Sequence, residues 1–247
     1  MDLQGKTAII TGASSGIGEA TAKKLAEQGV NVVLCARRTE KLEELKDEIT
    51  QSGGNALVVT ADVTNKEDWN TVIENTQEHF NSIDILFNNA GLMPLSYVEK
   101  LKTDEWEKMV DVNLKGVLNG VAATLPIMQE QKSGHIINVS SSAGRKYFPG
   151  GAVYCATKAA VTMFSEGLRQ EIAPEYGINV TLIEPGFVST ELQDTITDED
   201  IKDQLGNMSD MTPLQANDIA QAVAYAAATP DHVNVNDVYI YPTQQKQ

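Results

Sequence analysis

Cysteine is scarce in this chain: two residues, Cys35 and Cys155, among 247. Neither has a partner at CxxC spacing, which excludes a thiolate metal site or a redox pair. Both read as small buried hydrophobes in a reducing compartment. Histidine is limited to His79, His135 and His232. No HxxxH or HExxH spacing occurs, so a metal site has no ligands to build on. No apolar run approaches the length of a membrane span. Residues 6–11 read as a strand, where a secretory leader would place its apolar region. Positive charge is also in deficit, with 19 Lys and Arg against 34 Asp and Glu and a formal net charge of -15. Such a surface repels nucleic acid and anionic membranes, although a local cluster of cations still suffices for a small anion. The expectation is a cytoplasmic protein with a small-molecule partner, no nucleic acid, no membrane and no metal.

What the chain has in quantity is alternation. Short runs rich in β-branched residues (7–11, 30–36, 55–60, 83–88, 135–140, 178–184, 238–241) alternate with helical patterns (19–28, 39–52, 66–80, 104–131, 154–175, 215–228). Pro126 is expected to kink the longest helix. Strand and helix in alternation imply a parallel sheet with right-handed crossovers. The strands are near-continuous Val/Ile/Leu runs, as needed when both faces are covered. The fold class is therefore α/β: a doubly wound parallel sheet of about seven strands flanked by helices on both faces. No linker or compositional shift divides residues 1–247, so one domain is expected. Ligands of such sheets bind at the carboxyl ends of the strands.

The first of those ends carries Gly12-Ala13-Ser14-Ser15-Gly16-Ile17-Gly18. Glycines between a strand and a helix let backbone approach a ligand, and the helix start offers free N–H groups to a pyrophosphate. No Lys-Ser/Thr follows, which excludes a Walker A loop. The alternative is a plain tight turn. The second strand ends Cys35-Ala36-Arg37-Arg38. An acid gripping a ribose 2′-OH is missing there, and two guanidinium groups follow. In so acidic a chain the pair fits a 2′-phosphate, pointing to NADP(H); otherwise it caps a surface turn.

Tyr154 and Lys158 stand four apart at the start of a helical run and share one helix face. A cation beside a phenol favours the phenolate and lowers its pKa, which suits proton exchange near neutral pH. The plain alternative is a lysine stem packed on a tyrosine.

Further fragments complete a pattern that resembles, over nearly the whole chain, the single-domain short-chain dehydrogenases/reductases, a Rossmann-type family. Thr11-Gly12-x-x-x-Gly16-Ile17-Gly18 resembles its cofactor loop, in which Ser14 and Ser15 sit. Asp62-Val63 resembles its adenine contact, with a helix N-cap as the alternative for Asp62. Asn88-Asn89-Ala90-Gly91 is its signature stretch. Asn113 resembles its catalytic Asn, or is a buried Asn satisfying backbone groups. Ser141 stands at the family's usual spacing before Tyr154, although Ser140 and Ser142 flank it. Pro185-Gly186-Phe187-Val188-Ser189-Thr190 resembles the segment that holds the nicotinamide carboxamide, with Pro185, Gly186, Val188 and Thr190 as contacts. The resemblance implies that Asn113, Ser141, Tyr154 and Lys158 are catalytic. It also implies that Asn89, Ala90 and Gly91 border the cofactor and that Tyr154 and Lys158 touch it.

One departure is the ending at 233–244, which lacks the Gly-Gly common in the family. With Arg37-Arg38 it resembles the branch of NADP-dependent 3-hydroxy acid dehydrogenases and clavulanate dehydrogenase. The implied function is an NADP(H)-dependent alcohol dehydrogenase or carbonyl reductase on a small or medium carbonyl or alcohol substrate; a non-catalytic NADP(H) sensor is the alternative. Residues 191–211, acidic and weakly periodic, read as a substrate lid beginning near 190. Tyr147, Phe148 and Met93-Pro94-Leu95 read as pocket walls or as ordinary loop packing. Val110, Leu114, Val117, Leu118, Val121 and Leu125 give the long helix an apolar face. The family pairs this helix and the Tyr154 helix with symmetry mates, implying a homodimer or homotetramer, unless both faces are spent on the sheet.

Overall fold

Ile9 and Ile10 are neighbours in the first strand, both fully buried, yet they enter different cores. Successive strand residues point to opposite faces, and both faces of this sheet are covered. The same split separates Val33 from Leu34, Leu86 from Phe87 and Ile136 from Ile137. This is why the strands are continuous apolar runs instead of alternating ones.

The computed structural model describes residues 2–206 and 211–245. Its elements run β1 (Thr7–Thr11), α1 (Gly16–Ala26), β2 (Asn31–Ala36), α2 (Thr39–Gln51), β3 (Asn55–Thr60), α3 (Lys66–Phe80), β4 (Ile85–Asn88) and α4 (Thr103–Val110). A widened helical turn, Asp111–Lys115, joins α4 to α5 (Gly116–Gln131). Then follow β5 (Gly134–Val139), α6 (Ala152–Tyr176), β6 (Ile178–Pro185), β7 (Val188–Ser189), α7 (Glu199–Gly206), β8 (Leu214–Gln215), α8 (Ala216–Ala227) and β9 (Asp237–Ile240). Seven strands form one parallel sheet in the order β3-β2-β1-β4-β5-β6-β9. Leu25, Leu42, Ile49, Ile219 and Val223 of α1, α2 and α8 pack on one face. Trp69, Val72, Val121, Met128, Leu168 and Ile172 of α3, α5 and α6 pack on the other.

The strand order reverses direction at β1, which lies between β2 and β4. The loops after β1 and β4 therefore part company there and leave a crevice at the carboxyl edge. Two features differ from the expected pattern. The first lies in the long helix, which stays helical through the exposed Pro126. Its irregular point is the Asp111–Lys115 turn, where the Gly116 N–H reaches back five residues to the Asp111 carbonyl. A one-residue widening of this kind re-aims side chains, and Asn113 is the buried residue in it. The second difference is the short parallel pair β7–β8, Val188 with Leu214 and Ser189 with Gln215. It ties the two ends of the expected lid together. Between them lie a short helical turn, Glu191–Thr195, and α7. Residues 207–210 of the expected lid lie outside the described residues.

Candidate active site

The crevice is a cleft of about 940 Å³ running along the carboxyl edge of the sheet. At one end the loop after β1 forms its floor. Gly12 and Gly16 have φ of +66° and +57°, a region that L-residues with side chains avoid. Gly18 is buried beneath the loop: a Cβ there would stand 2.2 Å from the Gly12 carbonyl oxygen. Helix α1 starts at Gly16, three residues earlier than the pattern suggested. Ser14, Ser15, Gly16 and Ile17 line the cleft. This backbone concavity at a helix start is a cradle for phosphate.

Beside it lie Ala36, Arg37 and Arg38 at the end of β2. Arg38 donates from Nε to Ser14 Oγ (3.1 Å), from Nη2 to Ser15 Oγ (2.7 Å) and from Nη1 to Glu191 Oε2 (2.9 Å). Glu191 was not anticipated from the sequence. Arg38 is the first cause of its lowered carboxyl pKa, followed by a bond to Ser15. Arg37 is exposed and attracts Asp62. Asp62 lines the cleft with Val63 and accepts from the Thr64 N–H (2.9 Å) and hydroxyl (2.7 Å). Partial burial opposes its charge, but these bonds and Arg37 hold the carboxyl below its ordinary range. The N-cap of α3 is Asn65, whose side chain accepts from the Glu67 N–H, so that role does not fall to Asp62.

The middle of the cleft is the loop after β4. Asn89 is fixed by donation from its side chain to the Thr11 carbonyl (2.9 Å), and Thr11 Oγ1 accepts from the N–H groups of Asn89 and Ala90. A Cβ on Gly91 would lie 3.3 Å from Asn113 Oδ1 and 3.7 Å from Lys158 Nζ. Gly91 thus marks where these two side chains approach. Asn113 lies behind the wall, 1% exposed. Its Oδ1 accepts from the Leu92 N–H (2.9 Å), and its Nδ2 donates to the Leu92 carbonyl (3.0 Å) and to Thr157 Oγ1 (3.2 Å). The backbone-satisfying reading of Asn113 is thereby part of its environment.

At the far end α6 presents Tyr154 and Lys158, both buried. Ser141 stands beside the Tyr154 hydroxyl and favours its ionised form. Ser141 Oγ accepts from the Ala143 N–H (3.1 Å). Ser140 points elsewhere, donating to the Lys158 carbonyl (2.9 Å) inside the core, while Ser142 lines the cleft. Lys158 Nζ donates to the Val139 carbonyl (2.9 Å) and stands 5.9 Å from the centre of the Tyr154 ring. The expected depression of the Tyr154 pKa by Lys158 is absent in the protein without ligand. Burial pushes the phenol up to about 12, opposed by Ser141, and burial pushes the ammonium down to about 8. Desolvation outweighs a cation that is oriented toward a carbonyl.

Pro185, Gly186, Phe187, Val188 and Thr190 close the cleft from the β6 side. The Thr190 side chain lies 3.2 Å from where a Cβ on Gly16 would sit. Gln245 reaches the cleft from the C-terminal segment and accepts from the Phe187 N–H (2.9 Å); no motif announced it. Met93, Leu95 and Phe148 are wall residues, whereas Tyr147 is exposed outside the cleft. Of the residues expected from sequence to be catalytic or to touch the cofactor, all but Gly18 and Asn113 line this cleft, and those two support it from behind.

The model of the short-chain dehydrogenase family matches residues 6–201. An uncharacterized oxidoreductase of Listeria innocua is 49% identical over 246 residues, covering 99% of both chains. Among solved structures, the closed form of serine dehydrogenase complexed with NADP+ is similar, with a TM-score of 0.90 and 36% identity over 98% of this chain and 96% of that one. A short-chain dehydrogenase/reductase of Burkholderia phymatum in complex with NAD has a TM-score of 0.89 at 28% identity, over 98% of this chain and 90% of that one. Matches of this length and identity leave one conclusion: the chain is an oxidoreductase of the short-chain dehydrogenase family.

Proposed function

We propose that the protein is an NADP(H)-dependent carbonyl reductase or alcohol dehydrogenase acting in the cytoplasm as a homodimer or homotetramer. The observation that carries this reading is the buried Tyr154, which lines with Ser141 and Lys158 the same cleft that begins in the glycine cradle. The glycine loop fits a pyrophosphate because Ser14, Ser15, Gly16 and Ile17 line the cleft where α1 begins, and Gly18 lets the loop pack directly on that helix. Arg37 and Arg38, with no acid at Ala36, support a 2′-phosphate over a free 2′-hydroxyl. A bound nicotinamide would supply a hydride to the carbonyl carbon or take one from the alcohol.

The chain's own residues do the rest. Ser141 holds the carbonyl oxygen and steadies developing negative charge on it. Tyr154, a neutral phenol at physiological pH because burial raises it, donates the proton that turns the alkoxide into a hydroxyl. The resulting phenolate is reprotonated through Lys158, whose ammonium titrates near 8. In oxidation the same phenol must first lose its proton, and a Lys158 cation turned toward it from the Val139 carbonyl would lower that cost. Asn113 keeps the Leu92 backbone and Thr157 in place beside Lys158.

Two measurements test the reading. With NADPH and a panel of aldehydes, diketones, keto esters and keto acids, Tyr154→Phe is expected to lower kcat by at least about 100-fold while NADPH still binds. Undiminished turnover refutes the proton-donor role, and tight NADPH binding without turnover of any compound by the wild type supports a sensor instead. Replacing Arg37 and Arg38 together by Ala is expected to raise KM for NADPH at least about tenfold and to leave KM for NADH within about twofold. Equal effects on both cofactors refute the phosphate grip.

A further inference from the structure

The outer cleft beyond Tyr154 is walled by Met93, Leu95, Phe148 and Leu192. Leu95 is buried with Tyr154, Ile196 and Ile201, and Phe148 packs on that cluster. Gly151 makes room for the ring, since a Cβ there would stand 2.6 Å from it. The polar lining here is Ser142, Gln193, Asp194 and Thr195. Of the charged residues lining the cleft, Arg38 pairs with Glu191 and Arg37 with Asp62 at the glycine-loop end, and Lys158 turns to a carbonyl, which leaves the exposed Asp194 carboxylate for this part.

Most neighbouring cations are committed elsewhere, and Lys146, exposed in the loop before Phe148, does not line the cleft. Arg37 and Arg38 belong to the glycine-loop end. Lys158 Nζ faces the Val139 carbonyl. Arg145 places Nε 2.8 and 2.9 Å from the two oxygens of the buried Glu184, and its Nη2 lies 3.1 Å from Asp237. Lys100 is held by Asp198 at 2.6 Å, and Lys102 is bonded to the Thr197 hydroxyl. Two backbone donors of the β4 loop are also occupied: Leu92 N–H by Asn113, and Met93 N–H by Thr195 Oγ1 at 3.0 Å. A carboxylate entering this space would shed its hydration against apolar walls and meet a like charge at Asp194.

We infer that the substrate is an uncharged carbonyl compound, or its alcohol, with an apolar substituent on the carbonyl carbon. Keto and hydroxy acids are then poor substrates. This rests on the reductase reading above and narrows it, setting aside the 3-hydroxy acids that the family resemblance suggested. The reaction is balanced: carbonyl carbon gains the hydride lost by NADPH, carbonyl oxygen gains the Tyr154 proton, and solvent restores that proton.

The test compares matched pairs with NADPH: ethyl acetoacetate with acetoacetate, and benzaldehyde with 4-carboxybenzaldehyde. In each pair the neutral member is expected to have a kcat/KM at least about 100-fold higher. Acids that match or outrun their neutral partners overturn the inference while leaving the reductase reading intact. No turnover of any compound refutes the reductase reading. The charge preference is then decided separately, by the change in bound-NADPH fluorescence on titration with hexanamide and with hexanoate. Binding of hexanamide at least about tenfold tighter supports it; equal or tighter binding of hexanoate overturns it.

Discussion

Burial sets the protonation of side chains whose neighbours in sequence suggest nothing unusual. His135 is the clearest case, 7% exposed at the start of β5. Its Nε2 lies 2.7 Å from Thr181 Oγ1, and the Thr181 hydroxyl donates to the Val235 carbonyl at 2.7 Å. The threonine proton is thus spent, so the imidazole must donate from Nε2 and is neutral. Burial pushes its pKa down to about 4. Between pH 6.5 and about 4 the unfolded chain holds a proton that the folded chain does not, so stability falls as pH falls through that window. His135 is expected to account for a loss of up to about 3 kcal/mol there. Urea unfolding from pH 7 to 4 should show a flatter decline in His135→Gln; an unchanged slope refutes the assignment. Helix spacing paired Tyr154 with Lys158, because a helix face is a local property, whereas Ser141 and Asn113 came only with the family resemblance. The Tyr154 pKa runs opposite to that pairing for the reason that applies to His135: desolvation comes from segments far away in sequence, and a motif carries no record of it.

At the level of elements, periodicity located the strands and helices because each buries a face with its own repeat. It missed devices that depend on tertiary contact. The Asp111–Lys115 turn is one: it serves Asn113, which must reach the β4 loop and α6 at once. The β7–β8 pairing is two residues long, too short for any pattern. Glu184 was counted as part of a strand, and its charge went unexplained. It is fully buried at the carboxyl end of β6, and half-exposed Arg145, from the loop before α6, is its partner. Removing one member of such a pair leaves a buried charge uncompensated. Arg145→Met is expected to cost about 2–3 kcal/mol, below the full buried-pair value because the guanidinium is partly hydrated. Adding Glu184→Leu should recover most of that loss. A denaturant double-mutant cycle with no coupling between the two sites would show that the bridge does not hold the loop to the sheet.

At the level of the whole molecule, the apolar residues of α5 and α6 divide between the interior and the surface. Val117 and Val161 pack together with Leu182 beneath the sheet, and Val121 joins the core on the same side. These residues are therefore spent internally, as one reading of the sequence allowed. Leu118 and Met163 are left 38% and 72% exposed. Ala122 follows Leu118 by four positions, and Ala156 and Ala159 precede Met163 by seven and four; all three are exposed. Such spacing puts small residues on the same face as the large ones, which lets two helices approach closely. A chain with net charge -15 repels its copies at long range, so association needs a patch where charge is sparse and apolar area is removed from water. Light scattering is expected to give at least twice the chain mass of 26.8 kDa, more completely at higher salt as repulsion is screened. Leu118→Glu together with Met163→Glu should give monomers that keep the far-ultraviolet dichroism of the parent, since neither side chain contributes to the internal cores. A wild-type monomer at micromolar concentration, or a double variant that still associates, would place any contact between copies on another face.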